Sequence, residues 1–212
     1  GTRMIFRIER TRFVGLIALG FWLVGLIILS YYTMSLIRDF SDETRVVEKS
    51  RLSVPAGDTL QLYVHKNKPA DYYGRFHSGG FPSEDVIFLR DGSLLGKVNL
   101  EIKKSGEAEM ALVQRKYARG YNMEDAADRA ARIKYNFESY QNELTLNRYF
   151  SLPEEESWRA QDLKLILQLP EGTVLYISGE AKDIIDWWRF SYSDEVENNY
   201  FIMTDDGLKK IE

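Results

Sequence analysis

The strongest hydrophobic pattern in the chain is a long uncharged run near its N-terminus. It covers residues 13–37 and is bracketed by Arg12 and Arg38. At about 1.5 Å of rise per residue, a run of this length crosses the apolar core of a bilayer as one helix. A helix packed on a soluble core would carry a polar stripe, and a signal peptide would end in a small-residue cleavage site, but this run has neither. The pattern therefore predicts a transmembrane helix.

Basic residues on the two sides of this run bear on its orientation. Four arginines precede it, whereas the four basic residues that follow it closely are offset by three nearby acidic residues. Loops rich in Lys and Arg stay in the cytoplasm. We therefore expect residues 1–12 to be a cytoplasmic loop and the tail after the helix to be extracytoplasmic. Residues 1–12 resemble a loop between helices, so we expect the chain to be a fragment with an upstream part.

Two stretches of the tail share a strand–turn–strand pattern. A polar, charge-dense connector over residues 38–51 leads to LSVPAGDTLQLY at 52–63, and LQLPEGTVLYIS follows at 167–178. Proline at the second position of a tight turn presets φ, and glycine closes the turn. We expect equivalent turns that set the register of the flanking strands, or, as the alternative, two unrelated hairpins. The structural turn residues are Pro55, Gly57, Pro170 and Gly172.

Most of the remaining tail alternates between apolar and polar residues. Residues 98–102 alternate in the manner of a half-buried strand, and Asp91-Gly92 is a hairpin signal. Asn122 is a predicted cap for a helix running to about Lys134, with Met123 and several alanines on its apolar face. A second short helix fits residues 181–188. The pattern thus predicts one mainly β domain over residues 52–212 with an inserted helix.

Composition narrows the chemistry that the tail can perform. The chain has a net charge of -4, and the tail is more acidic than this because residues 1–37 hold four arginines and one glutamate. An acidic tail does not attract nucleic acid. The sequence contains no cysteine, only two histidines, no Gly-x-Ser-x-Gly elbow and no glycine-rich phosphate loop. We therefore expect no enzyme activity, no cofactor and no metal site.

The C-terminal region is rich in aromatic residues, and Trp187 and Trp188 stand at its centre. One interpretation is a helix that caps the end of a sheet and protects its edge. The other is a partner or glycan surface, because tryptophan offers a large contact area at low entropic cost. Trp187 and Trp188 are the candidate partner surface on the second interpretation. The acidic cluster at 154–156 is interpreted as a solvated loop.

Several long blocks of this sequence resemble a known bacterial family. They are RMIFRIERTRFVGLIALGFWLVGLIIL, VPAGDTL, ARGYNMEDAADRAARIKYNF, LTLNRYFSLPEEESWRAQDLKLILQLPEGTVLY and MTDDGL. In this order they are similar to the last membrane helix and the C-terminal part of the PspC-domain (phage shock protein C-like) membrane proteins of Bacteroidetes-type bacteria. The N-terminal PspC domain has no counterpart in the chain. No catalytic residues carry over from the family.

The resemblance implies an extracytoplasmic toast-rack domain on the bacterial cytoplasmic membrane, which is a β-helix-like stack of short strands. It also implies a role in envelope stress signalling. We therefore expect a membrane-anchored, non-enzymatic sensory or scaffolding domain that contacts the lipid bilayer through residues 13–37. Its expected partner is a membrane or envelope protein, or a second copy. The alternative is a polysaccharide-binding or polysaccharide-active β-solenoid module, which rests on analogy with other stacked-strand folds and on the acidic and aromatic composition of the tail.

Overall fold

The computed structural model describes residues 5–39, 42–54, 58–65, 72–75, 86–186 and 196–211. The described chain begins with helix α1 (Ile5–Asp39). Its segment Val14–Ser35 is a candidate membrane span of 22 residues, and none of that segment is buried against the protein. A helix that is apolar all round and uncovered is suited to lipid. The predicted apolar helix is confirmed, and it is long enough to cross a membrane.

The part of the chain described after α1 is mainly β. Its elements are β1 (Asp42–Leu52), β2 (Leu60–Val64), β3 (Tyr72–Arg75), β4 (Val86–Leu89), β5 (Leu94–Lys97), β6 (Asn99–Lys104), β7 (Met110–Gly120), α2 (Met123–Ala131), β8 (Phe137–Tyr140), β9 (Glu143–Leu146), β10 (Tyr149–Leu152), β11 (Asp162–Leu169), β12 (Val174–Ile177), a short 3₁₀ helix (Gly179–Asp183), β13 (Asn199–Thr204) and β14 (Gly207–Lys210). The expected mainly β domain with one inserted α-helix is therefore confirmed.

The strands form three open sheets that stack on one another. Sheet 1 has the order β1-β7-β11-β6, sheet 2 has β10-β5-β4-β3, and sheet 3 has β14-β13-β12-β2-β9-β8. Most neighbours are antiparallel, but β11 runs parallel to β6, and β2 runs parallel to both β12 and β9. Parallel neighbours require crossover connections, which here pass through other sheets. The result is the β-helix-like stack of short strands that the family resemblance implies.

The core lies between the inner faces of sheets 1 and 3. Leu163, Leu165 and Leu167 project from β11, and Leu62 and Leu144 project from sheet 3; all five are completely buried. Because side chains alternate between the two faces of a strand, the residues next to these leucines in sequence point to the outer face. The outer faces of sheets 1 and 3 are therefore opposite surfaces of the domain.

The two strand–turn–strand stretches lie side by side. β2 and β12 pair in parallel, with Leu60 opposite Leu175, and these are the leucines that the sequence alignment superimposes. Pro55 and Gly57 lie outside the described residues. Gly172 has a φ of +82°, and its N–H donates to the carbonyl oxygen of Met203 at 2.8 Å. The second turn therefore needs a residue that tolerates the left-handed region.

Replacing Gly172 by valine should lower the free energy of unfolding by about 1–3 kcal/mol, because a β-branched residue is strained at positive φ. No atom lies within 4 Å of an added Cβ at this position, so the cost is conformational and not steric. Urea unfolding of the detergent-solubilised chain would measure it. Gly172→Asn is the matched control, since asparagine tolerates positive φ and should cost less. Equal stabilities of the valine and wild-type chains would contradict the conformational account.

The segment expected to be a polar connector is instead a strand. β1 pairs with β7 over its whole length, from Asp42 opposite Gly120 to Leu52 opposite Met110. Its charged side chains pair with cations and carboxylates on β7 and the preceding loop, as in Lys116–Glu48 at 2.6 Å and Lys49–Glu107 at 2.8 Å. Because β1 is the terminal strand of sheet 1, both of its faces carry polar residues, and the alternation that indicates a strand is lost.

The first predicted helix begins as expected, but both predicted helices differ from expectation in extent. The Asn122 side chain accepts the Asp125 N–H at 2.8 Å and caps α2, which ends at Ala131 and not near Lys134. Ala126 and Ala130 are fully buried, whereas Met123 is 68% exposed because it lies in the first turn, beyond the sheet. In the region of the second predicted helix, the described residues contain only the 3₁₀ helix, which ends at Asp183.

Candidate functional site

A row of polar and aromatic side chains crosses the outer face of sheet 3. Tyr200 lies opposite Tyr176, Tyr176 opposite Gln61, Gln61 opposite Glu143, and Glu143 opposite Tyr140. Residues in register point to the same face of a sheet. With neighbouring strands about 4.8 Å apart, the row extends over about 19 Å. We call the outward tyrosines Tyr63, Tyr140, Tyr176 and Tyr200 the tyrosine face.

Three of these rings contact one another. The ring centroids of Tyr63 and Tyr176 are 6.1 Å apart at an interplanar angle of 56°, and those of Tyr176 and Tyr200 are 5.1 Å apart at 50°. Such tilted arrangements are favourable for aromatic pairs. The rings therefore form an uneven ridge, not one flat plane.

Hydrogen bonds hold the phenol groups of Tyr63 and Tyr176, the two tyrosines in the middle of the face. The Tyr63 hydroxyl donates to Gln61 Oε1 at 2.8 Å, and the Tyr176 hydroxyl donates to Asn198 Oδ1 at 3.3 Å. Asn198 Oδ1 also accepts the Gly179 N–H at 3.0 Å, which ties the face to the 3₁₀ helix. These hydrogen bonds therefore hold both side chains in place.

The electrostatic surroundings keep Tyr63 neutral. Burial raises the pKa of its phenol above the ordinary value of 10.0, and the nearby negative charge of Glu143 raises it further. A neutral phenol retains its proton as a hydrogen-bond donor. The face thus combines apolar ring surface with neutral donors and the carboxylate of Glu143.

The tyrosines at the two ends of the row, Tyr140 and Tyr200, are accessible to solvent. Tyr140 is 73% exposed and Tyr200 is 52% exposed, whereas the next residue along β13, Phe201, is buried in the core. Tyr200 and Phe201 belong to the aromatic C-terminal region noted in the sequence, and strand alternation sends them to opposite faces. Trp187 and Trp188, the predicted partner surface, lie outside the described residues. That prediction therefore stays a prediction.

Sequence reasoning missed the other tyrosines of this face. Tyr63 lies between buried Leu62 and Val64, and Tyr176 lies between buried Leu175 and Ile177. This period-two pattern marks both tyrosines as outward-facing within their strands. The pattern does not show that the two strands are neighbours, and only the parallel register brings the tyrosines together.

The three residues of the acidic cluster at 154–156 differ in their exposure to solvent. Glu154 and Glu155 are exposed, but the Glu156 side chain is only 4% exposed. Glu156 Oε1 accepts a hydrogen bond from Arg129 Nη1 at 3.1 Å, and Oε2 accepts one from Arg132 Nη1 at 2.8 Å. The interpretation as a solvated loop is therefore wrong for Glu156, which instead ties α2 to the loop after β10.

A cavity of about 380 Å³ lies where the ends of sheets 1 and 2 meet, and Trp158, Lys97 and Asp183 are part of its lining. Two charged side chains of its lining have other partners: Asp183 Oδ2 lies 2.6 Å from Arg148 Nη2, and Lys97 also has a partner. No cluster of metal-ligating side chains occurs among the residues that the structure describes. The tyrosine face is consequently the better candidate for a functional surface.

Comparison with known proteins identifies the domain. The family model for the toast-rack domain found in some PspC proteins matches residues 92–210, which is more than half of the chain. No curated protein and no solved structure matches. The matched region includes the strands from β5 to β14, together with α2. The chain belongs to the family of toast-rack domains found in some PspC proteins.

Proposed function

We propose that this chain is a membrane-anchored, non-enzymatic module of an envelope stress response, and that its tyrosine face binds a protein partner. The observation that carries this proposal is the row of tyrosines on the outer face of sheet 3. Tyrosine is enriched at protein interfaces because its ring gives a large contact area with few rotatable bonds. The inner rings are already held by hydrogen bonds, so less side-chain entropy is lost on binding.

The membrane anchor and its side are part of the same proposal. α1 supplies the anchor, and the four arginines that precede its apolar segment support a cytoplasmic N-terminal end. The toast-rack domain then lies outside the cytoplasmic membrane of the bacterium. Family membership supports the stress-response role, since toast-rack domains of this kind occur in some PspC proteins.

Polysaccharide binding is the second candidate. It is favoured by the two exposed carboxylates on the same face, Glu138 and Glu143, which lie beside the tyrosines. Sugar rings, however, stack on the open faces of aromatic side chains. Because neighbouring rings are tilted by 50–56° to each other, they cannot both lie flat against one planar ligand. This geometry favours a protein partner, whose side chains can fit between tilted rings.

The test replaces the two accessible tyrosines by alanine, in Tyr140→Ala and Tyr200→Ala, within the full-length gene. Each change should cost less than about 1.5 kcal/mol of stability, because both side chains are largely exposed and lose only cross-strand contacts. We expect both variants to lose induction of an envelope-stress reporter and to lose the partner recovered by crosslinking in stressed cells. The matched control is Val47→Ala, an exposed apolar residue on the outer face of sheet 1.

Protease added to spheroplasts should remove the domain in all three variants, which checks both membrane insertion and orientation. Loss of induction in Val47→Ala as well would show a general defect and not a contact surface. Full induction in both tyrosine variants would refute the role of the tyrosine face. Loss of sedimentation with cell-wall polysaccharide, with partner recovery unchanged, would favour the second candidate.

A further inference from the structure

The corner between β7 and α2, residues 121–123, lies next to the end of the membrane helix. α1 ends at Asp39 and β1 begins at Asp42, so three peptide units separate their Cα atoms by at most about 11 Å. Asp42 is in register with Gly120, the last residue of β7. Cα atoms of α1 and β7 also approach within 8 Å. The residues directly after Gly120 are therefore held beside the point where α1 leaves the bilayer.

The height of this corner above the apolar core follows from the length of α1. The candidate span ends at Ser35, and the helix continues for four residues to Asp39. Four residues of helix rise by about 6 Å. The headgroup layer of one leaflet is about 5–8 Å thick. The end of α1 thus lies at the level of the lipid headgroups, and the corner after β7 lies beside it.

Two large side chains at this corner are exposed. Met123 is 68% exposed and Tyr121 is 47% exposed. Tyrosine is enriched at the boundary between headgroups and acyl chains, and methionine is a flexible apolar side chain that adapts to irregular surfaces. Their exposure beside a membrane span is accounted for if lipid covers them.

The backbone presents these side chains in a fixed position. The Tyr121 N–H donates to Asp125 Oδ2 at 3.0 Å, and the Asn122 side chain caps the helix that Met123 begins. Gly120 lies so close to α2 that an added Cβ would come within 2.6 Å of the Ala126 backbone nitrogen. The corner is therefore a rigid turn between β7 and α2, and contact with a surface would not require it to become ordered.

We propose that Tyr121 and Met123 form a membrane corner that rests on the bilayer, with both side chains inserted at the boundary between headgroups and acyl chains. The domain is then held at two places, the end of α1 and this corner, which fixes its tilt relative to the membrane. The contact is apolar and not electrostatic, because the exposed neighbours of Met123 are the neutral Asn122 and the acidic Glu124, and the nearby Arg119 is paired with Glu43. This proposal rests on the membrane anchor proposed above and is independent of the tyrosine face.

The test uses the full chain in nanodiscs of zwitterionic lipid and a single nitroxide label. The chain has no cysteine, so Met123→Cys gives a unique labelling site. Gly106→Cys is the matched control, because Gly106 has no atom within 4 Å of an added Cβ and lies beyond the other end of β1, about 34 Å away. Power-saturation spectroscopy measures how often each label collides with oxygen, which partitions into lipid, and with an aqueous nickel complex.

We expect the ratio of oxygen to nickel collisions to be higher at position 123 than at position 106. Equal ratios would overturn the proposal, and so would a fall in both collision rates at position 123, which indicates shielding by protein. Repeating the measurement with anionic lipid should leave the ratio at position 123 unchanged. A raised ratio that appears only with anionic lipid would overturn the apolar nature of the contact.

Discussion

Replacing Gly96 by alanine should lower the free energy of unfolding by about 2–4 kcal/mol, through overpacking of the core. Gly96 on β5 lies opposite Phe150 on β10, and the aromatic ring covers the glycine. A Cβ added at Gly96 would lie 2.1 Å from Cζ and 2.4 Å from Cε1 of this ring. Phe150 is only 1% exposed, so the ring cannot turn away into solvent.

Gly106→Ala is the control for the loss of glycine itself, since nothing lies within 4 Å of its added Cβ. It should change stability by no more than about 0.5 kcal/mol. Urea unfolding of the detergent-solubilised chain, followed by tryptophan fluorescence, measures both variants. In a double-mutant cycle, Phe150→Leu should recover part of the cost of Gly96→Ala, because it removes the clashing ring atoms. Equal losses of stability in Gly96→Ala and Gly106→Ala would show that the Phe150 ring moves to accommodate the added methyl group.

Replacing Glu156 by alanine should destabilise the domain by about 2–4 kcal/mol, because it removes the buried partner of Arg129 and Arg132. The Arg129 side chain is 23% exposed and would keep its pair with Asp125 at 2.9 Å. The Arg132 side chain is 59% exposed and can hydrate. These two properties place the expected cost toward the lower end of that range.

The matched control is Glu155→Ala, which removes the same functional group from the adjacent exposed position. Its effect should stay within about 0.5 kcal/mol. Hydrogen exchange supplies a second readout, since loss of the Glu156 contacts should increase exchange in α2 more than in β11. If Glu155→Ala and Glu156→Ala have equal effects, the loop is solvated throughout, as its sequence first indicates.

Local signals in the sequence were sufficient for much of the fold. The apolar run identifies α1 because an uncharged run of this length fits one long helix that could cross a membrane. Asn122 identifies the start of α2 because its side chain can accept a hydrogen bond from the first turn. Asp91-Gly92 identifies the β4–β5 hairpin, in which Gly92 has a φ of +86°. In each case the cause of the structure lies within a few neighbouring residues.

The features that were missed depend on contacts between distant residues. β1 is recognisable as a strand only when its charges are seen to pair with β7, as Glu43 does with Arg119 at 3.2 Å. Glu156 resembles its exposed neighbours until α2 is placed above it. Tyr63 and Tyr176 are 113 positions apart in sequence numbering, and the parallel pairing of β2 with β12 brings them together. Such pairings are set by the packing of the whole domain.

The attachment of β1 to the membrane helix also affects how copies of this protein can associate. As the terminal strand of sheet 1, β1 offers backbone groups to which another strand can bind. A twofold pairing of two β1 strands would be antiparallel and would place their Asp42 ends about 34 Å apart, at opposite ends of the ladder. Two strands that rise from the same membrane cannot adopt this arrangement. In the anchored chain proposed above, the membrane therefore prevents this pairing of two β1 edges, and proteolytic release from the membrane would permit it.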